Sequence, residues 1–272
     1  MTTPARTLVV NADDFGFTRD VNEGIVAAHR QGILTATTLM ANGAAFGHAI
    51  ELASANPTLD IGCHLVLVGG PSLSRPGEPL PATVGDLLKA VGLRRLAIYS
   101  ELRAQIERIL AAGIRPLHLD THKHTHLLPP VLEAVARLSE EYTIPWVRRP
   151  FDFPLSPDGA PWSKRAVSRG LGLLRRRFAK VLTAHGCRTT DWFAGFRITG
   201  RFHAAQVVRL IHALPAGITE FMCHPGYCTA ELTAAKTRLK QSRAEELRAL
   251  TAPETRAALA EAGVRLAGYR DL

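Results

Sequence analysis

The chain has 272 residues, 46% of them apolar, which suits one large α/β domain or two small ones with a sizeable core. No apolar run approaches the roughly 20 residues of a membrane span, which excludes an integral helical membrane protein. No signal peptide precedes the strand-like Leu8-Val-Val, so a cytoplasmic protein is expected; a formal net charge of +9 leaves room for an anionic partner such as a nucleic acid, an acidic lipid surface or a negative substrate.

Thr7–Ala12 reads as a short buried strand that stops at Asp13-Asp14-Phe15-Gly16. Two adjacent carboxylates after a β-branched run are unusual, because burying them is costly unless they are paired or bind a cation. Asp20 is expected as a helix N-cap with Glu23 completing a capping box, and that helix runs to about Arg30, closed by Gly32. Leu34–Ala41 is a second, Thr-rich strand, followed by an Asn42-Gly43 turn and a helix to Ala55. Asp60–Val68 is a third strand, carrying His64 in an otherwise apolar run. Residues 69–84 form a long Gly- and Pro-rich loop, and loops of that length are often functional. Residues 100–112 are helical, Leu117–Asp120 is a fourth strand, and Pro129-Pro130 opens a helix to Glu141. Trp146-Val-Arg148 is a short strand leading into a Pro-rich loop from Pro150 to Pro161.

Ser163–Ala184 is expected as a basic amphipathic helix, with Val167, Leu171, Leu174, Phe178 and Leu182 at helical spacing. Residues 164–188 carry Lys164, Arg165, Arg169, Arg175, Arg176, Arg177, Lys180 and Arg188 and no acid. Such a face is either a solvated surface or a contact for an anionic membrane or another acidic partner. Asp191–Phe196 reads as a loop, His203–Ala213 as a helix and Gly217–Met222 as a strand ending in Cys223-His224-Pro225-Gly226. Ser242–Gly263 supplies one or two helices, and Val264–Tyr269 a last strand. Strand and helix alternate about seven times, which argues for a parallel α/β sheet, open or closed into a barrel. No glycine-rich phosphate loop follows a strand, so nucleotide binding is not supported. Cys63, Cys187, Cys223 and Cys228 match no zinc-motif spacing and are expected as free thiols.

The densest functional signal is His118-Leu-Asp-Thr-His122-Lys-His-Thr-His126, which holds four of the eleven histidines. His118, Asp120, His122, His124 and His126 share one parity and would face one side of an extended strand. If the strand ends near Asp120, His122 and His126 are instead about one helical turn apart. Either geometry can bring two imidazoles onto one cation. Asp13-Asp14, His64, the histidine cluster and His224 each lie near the end of an expected strand, the edge where barrels and open α/β sheets assemble their sites. One Asp and two His suit a single divalent ion with open positions. A second carboxylate could take a proton from water and a further His could protonate a leaving group, which is a hydrolase layout.

In order and spacing, Asn11-Ala-Asp-Asp-Phe-Gly16, Gly62-Cys-His-Leu65, the His118–His126 cluster and Phe221-Met-Cys-His-Pro-Gly226 resemble the signatures of the YdjC-like carbohydrate deacetylases, which include chitooligosaccharide deacetylases and hopanoid-associated proteins. The resemblance spans nearly the whole chain, implying a single domain over residues 1–272 with the basic segment at about 163–185 inside it. It implies a distorted (β/α) barrel of about seven strands, like that of polysaccharide deacetylases, and metal-dependent removal of N-acetyl groups from a sugar or glycoconjugate. Matched motif to motif, Asp14, His64 and His122 look like the metal ligands for Zn or Mg, Asp13 the base and His224 the acid. His124, His126, Asp120 and Arg148 are candidates for substrate contact or support. Many relatives have His where this chain has Lys123, and the basic segment lies outside the signature. The partners implied are an acetylated sugar and no nucleic acid, with an anionic membrane surface and a homodimer as further candidates. The rival readings are an amidohydrolase or esterase acting on a non-sugar acyl compound, and a non-catalytic barrel that binds a glycan or acidic lipid.

Overall fold

The computed structural model describes residues 5–153 and 174–272. Within them, strands β1 (Arg6–Phe15), β2 (Ala36–Leu39), β3 (Asp60–Leu65), β4 (His118–Thr121), β5 (Trp146–Val147), β6 (Trp192–Ala194), β7 (Gly217–Cys223) and β8 (Val264–Leu266) form one sheet. Helices α1 (Arg19–Gln31), α2 (Phe46–Ser54), α3 (Val84–Gly92), α4 (Ile98–Ala111), α5 (Pro129–Glu141), α6 (Arg175–Ala184), α7 (Ala204–His212), α8 (Ala230–Ala234), α9 (Gln241–Thr251) and α10 (Pro253–Glu261) connect them. The strands run in the order β5-β4-β3-β2-β1-β7-β6, with β8 also beside β1. Their pairings are parallel, as strand–helix alternation requires. The two edges approach each other where Phe153 N donates to Phe193 O at 2.9 Å. The result is a curled sheet with helices outside, the distorted (β/α) barrel that the resemblance implied. Among the described residues, no helix is long and apolar enough to cross a membrane.

Alternation along β1 sorts its residues between two faces. Leu8, Val10 and Ala12 join the main core against the helices. Val9 packs in a second, smaller cluster with Ala36, Trp146 and Tyr269 inside the barrel. Asn11 and Asp13 share the parity of Val9, and the interior above that cluster is polar. His118 Nε2 meets Asn11 Oδ1 at 2.8 Å, and the His118 ring stacks on Tyr269 at 3.9 Å between centroids. Gly62 makes this possible: a Cβ there would lie 2.6 Å from the His118 ring and backbone oxygen.

Some expectations need correction. Thr18, not Asp20, caps α1, its hydroxyl accepting from Val21 N. Asp20 lies inside the helix and accepts from Thr229 N and Leu232 N, so its carboxylate serves the start of α8. The expected loop Asp191–Phe196 contains strand β6, paired with β7. Strand β3 ends at Leu65, short of Val68. Helix α3 lies just past the long loop, where no element was read. Of the basic segment, residues 163–173 lie outside the described residues, as do residues 154–161 of the Pro-rich loop. Helix α6 buries Phe178 and Leu182 and leaves Arg175, Arg176, Arg177 and Lys180 exposed. Leu174, expected in the apolar stripe, is exposed.

Candidate functional site

Strand β1 delivers two acids by breaking its own regularity. Neighbours on a strand point to opposite faces, but Asp14 takes φ 71°, and the pairing with β2 shifts register between Ala12 and Phe15. Left-handed backbone is costly for a residue other than glycine. Here it lets Asp13 and Asp14 both reach the rim, each 4% exposed or less.

Asp14 Oδ1 lies 3.3 Å from His64 Nε2 and 3.2 Å from His122 Nδ1, and the two imidazole nitrogens are 3.2 Å apart. That oxygen is buried and has no hydrogen-bond donor. His64 is oriented from behind: its Nδ1 lies 2.7 Å from Asp120 Oδ1, and Thr38 Oγ1 donates to Asp120 Oδ2 at 3.1 Å. Burial pulls the His64 pKa down, but Asp120 and the neighbouring acids outweigh it and carry it up to about 10. A second trio within reach of one ion is Asp13, His64 and Asp120. Both oxygens of Asp13 and both of Asp120 are already engaged, whereas Asp14 Oδ1 has no donor, so Asp14, His64 and His122 form the better cation site.

That guanidinium is Arg148, 2% exposed. It grips Asp13 with two bonds of 2.7 and 2.8 Å, and also meets Asp120 and Glu220 at 2.7 Å each. Burial raises the Asp13 carboxyl, but Arg148 holds it well below the usual carboxylate range. At Glu220 burial prevails over Arg148, and the carboxyl is pushed up to about 7. Asp14 has its own guanidinium: Arg243 Nη2 donates to Asp14 Oδ2. Against burial, Arg243 and the two imidazoles keep Asp14 well below its ordinary value.

His224, at the end of β7, brings Nε2 to 3.8 Å from Asp13 Oδ2. Burial pushes its pKa down to about 4 in spite of the two aspartates. Its backbone N–H donates to Glu246 Oε2 at 2.6 Å, and Gly200 N donates to the other oxygen at 2.7 Å.

The histidine cluster does not keep one face. After Thr121 the chain enters a 3-10 turn in which Lys123 and His124 have φ 56° and 53°. His122 joins Asp14 and His64. His124 turns toward Phe193 and Phe196, with edge-on ring contacts at 5.9 and 5.6 Å. His126 is tied at both nitrogens, to Thr121 Oγ1 at 2.5 Å and to the carbonyl of Arg148 at 3.1 Å. Burial and the Arg148 charge lower its pKa to about 3. His126 thus braces the turn from beneath, and His118 lies deeper in the barrel.

Above these groups opens a cavity of about 1650 Å³. Asp13, Asp14, His122, His124, His224 and Arg243 line it, with Phe17, Met40, Leu80 and Phe196 among its apolar walls. Sequence reasoning missed Thr38, Glu220, Arg243 and Glu246. An acid at position 220 within the buried run Thr219–Cys223 was a readable signal, since unpaired burial of a charge is prohibitive. Arg243 and Glu246 sit in an ordinary charged helix sequence that gives no such signal.

A curled parallel barrel with acids and imidazoles from several strand ends at one rim defines an α/β protein with a candidate cation centre. The YdjC-like protein family model matches residues 7–261, and the chain belongs to that family. It is 34% identical to a carbohydrate deacetylase of Brevibacillus brevis, over 97% of this chain and 99% of that one. It is 35% identical to a carbohydrate deacetylase of Geobacillus stearothermophilus, over 98% of each chain. A chitooligosaccharide deacetylase of Yersinia pestis is 32% identical over 98% of this chain and 99% of that one. In structure the chain resembles a protein from Enterococcus faecalis described as a cellobiose-phosphate cleavage protein, with TM-score 0.76, 24% identity and 98% of each chain covered.

Proposed function

We propose that this protein is a metal-dependent hydrolase that removes the N-acetyl group from an acetylated sugar or glycoconjugate, with one domain carrying the activity. The observation that carries the reading is the orphaned, buried Asp14 Oδ1 facing the His64 and His122 nitrogens at the floor of a cavity of about 1650 Å³. One carboxylate and two imidazoles, with ligand atoms within 4.8 Å of one another, fit a single divalent ion. The contact from Asp120 to His64 Nδ1 is the outer support that a ligating imidazole normally has. Asp14, His64 and His122 would hold the ion, and the donor set favours Zn without excluding Mg. Bound there, it supplies polarisation of the acetyl carbonyl and activation of water.

The chain's own residues account for the rest. Arg148 keeps Asp13 ionised and oriented, ready to accept a proton from water that attacks the acetyl carbon. His224 Nε2, on the same side, gives a proton to the departing amine nitrogen. The products are acetate and a free amino sugar. One observation favours a second assignment of these two roles. Both Asp13 oxygens are engaged by Arg148 and its pKa is low, whereas His224 is neutral in the resting state. His224 would then take the proton from water and pass it on itself, with Asp13 stabilising the imidazolium.

The names of the relatives support a sugar over a non-sugar acyl substrate. The test is acetate release from a panel of N-acetylated sugars, simple acetamides and acetyl esters, measured beside metal content. Turnover confined to the simple acyl compounds favours the amidohydrolase or esterase reading. Stoichiometric metal with no turnover on any acyl substrate favours a glycan- or lipid-binding barrel.

A further inference from the structure

The two adjacent carboxylates are separated chemically by two different arginines. Arg148 takes both oxygens of Asp13. Arg243 takes one oxygen of Asp14, Oδ2, and leaves Oδ1 without a donor beside the two imidazoles. A carboxylate gripped at both oxygens has little left to offer a cation, whereas one gripped at a single oxygen is fixed in orientation with its second oxygen available. We propose that Arg243 is a positioning residue that makes Asp14, rather than Asp13, the carboxylate ligand of the cation site. This rests on the cation site described above.

Arg243 is built for that task. It lies in the first turn of α9 and is 1% exposed. Its Nε donates to Leu239 O at 3.2 Å, which fixes the plane of the guanidinium. Its backbone carbonyl accepts from Gly226 N at 3.2 Å, tying the helix to the segment that follows His224. The next turn of the helix carries Glu246, whose carboxylate holds the His224 backbone. One helix thus braces the Asp14 side and the His224 side of the site. The left-handed backbone of Asp14 adds a reason for the clamp: a strained residue keeps its conformation only when its surroundings over-determine it.

A guanidinium beside a metal ligand also repels a cation, so the sign of its effect is a real question. Orientation by an outer hydrogen bond typically contributes about ten- to a hundredfold in metal affinity. The full-length chain, stripped by chelation, is titrated with Zn²⁺ and Co²⁺ by calorimetry, for wild type, Arg243→Lys, Arg243→Gln and Arg148→Lys. The expected order is wild type, then Arg243→Lys, which keeps the charge but not the fork, then Arg243→Gln, weaker than wild type by about tenfold or more. Arg148→Lys should lose clearly less than Arg243→Lys, because Arg148 holds both oxygens of Asp13 and reaches the ligand set only through Asp120 behind His64. Equal or tighter binding by Arg243→Gln would mean that repulsion dominates and would overturn the proposal. Equal loss in the Arg243 and Arg148 variants would do the same, by showing general loosening of the site. If Arg243→Gln does not fold, Arg243→Lys against Arg148→Lys decides. Wild type that binds neither ion removes the cation site itself, an outcome distinct from wild type that binds and Arg243 variants that bind as well.

Discussion

Replacing Asp13 by Asn should separate catalysis from metal binding and from folding. Asn keeps the shape and one acceptor oxygen, but turns an NH₂ toward a guanidinium that already donates there. One of the two bonds from Arg148, at 2.7 and 2.8 Å, is therefore lost. A hydrogen bond to a charged group contributes about 1.5–3 kcal/mol. The net cost should fall at the low end of that range, because Arg148 still faces Asp120 and Glu220 at 2.7 Å each. Three carboxylates surround one guanidinium, and Asp120 and Asp13 add to the burial that pushes Glu220 up to about 7. Removing one of them relieves the others. A loss of about 1–2 kcal/mol lowers the melting temperature by only a few degrees in a chain of this size. Asp14, His64 and His122 are untouched, so metal content should match wild type. If Asp13 is the base, turnover should fall by about a hundred- to ten-thousandfold, equivalent to about 3–5 kcal/mol of barrier. The assay is acetate release beside elemental analysis and thermal unfolding on one preparation. Metal-free Asp13→Asn would place the ligand role on the wrong aspartate. Metal-loaded protein with turnover within about threefold of wild type would remove Asp13 as the base and leave the role to His224.

Asp14→Asn should weaken metal binding, with activity partly restored by excess metal, and His64→Ala or His122→Ala should lose the ion; full metal content in both histidine variants would show that the ligand set is wrong. Gly62→Ala should destabilise the barrel by about 1–3 kcal/mol or more, since its Cβ would lie 2.6 Å from both the His118 ring and its backbone oxygen; unchanged thermal unfolding would mean the sheet yields there at no cost. If α6 meets an anionic surface through its exposed Arg175, Arg176, Arg177 and Lys180, liposomes with acidic lipid should pull the protein down at low salt and release it at high salt. No binding at low salt leaves those side chains as a solvated face. His126, held at about 3 in the fold against 6.5 unfolded, contributes stability that is complete above pH 6.5 and drains away as the pH falls toward 3. Glu220, raised to about 7 from 4.5, acts in the opposite sense, its contribution fading as the pH rises between those values. Comparing acid unfolding of wild type and His126→Gln isolates the histidine, and equal acid limbs would show that its burial carries no such cost.

Much of the fold was legible because parallel barrels advertise themselves through alternation. Strand runs such as Thr7–Ala12 and Gly217–Met222 are bounded by Gly, Pro and Asx residues, and helix α5 opens at Pro129 and ends at Glu141 as its sequence dictates. The misreadings have local causes. Thr18 and Asp20 are both competent caps, and only the tertiary position of α8, over 200 residues away in sequence, decides which helix each serves. Strand β6 has three residues, too few for a period, and the Gly195 that follows it disguised it as loop. The polar groups that orient the site, Arg243 and Glu246, come from a helix whose sequence looks like any solvated helix. Their burial is fixed by packing that no local pattern encodes.

The histidine cluster shows where a correct rule stops. Parity placed His118, Asp120, His122, His124 and His126 on one face, and for His118 and Asp120, within β4, it holds: both point into the barrel, toward Asn11 and toward His64 and Arg148. The rule ends with the strand at Thr121. Two consecutive left-handed residues, Lys123 and His124, rotate the chain so that three evenly spaced imidazoles point three ways. Only His122 reaches Asp14. His126 instead returns to Thr121 at the strand end and to the carbonyl of Arg148, the residue that holds Asp13. The pattern that looks like redundancy in sequence is thus a division of labour in space. One imidazole meets the candidate cation site, one packs among aromatic rings at the cavity wall, and one fixes the turn and the arginine behind it. Non-glycine residues at positive φ are costly, and the bonds made by His126 supply a physical reason for this turn to keep its shape.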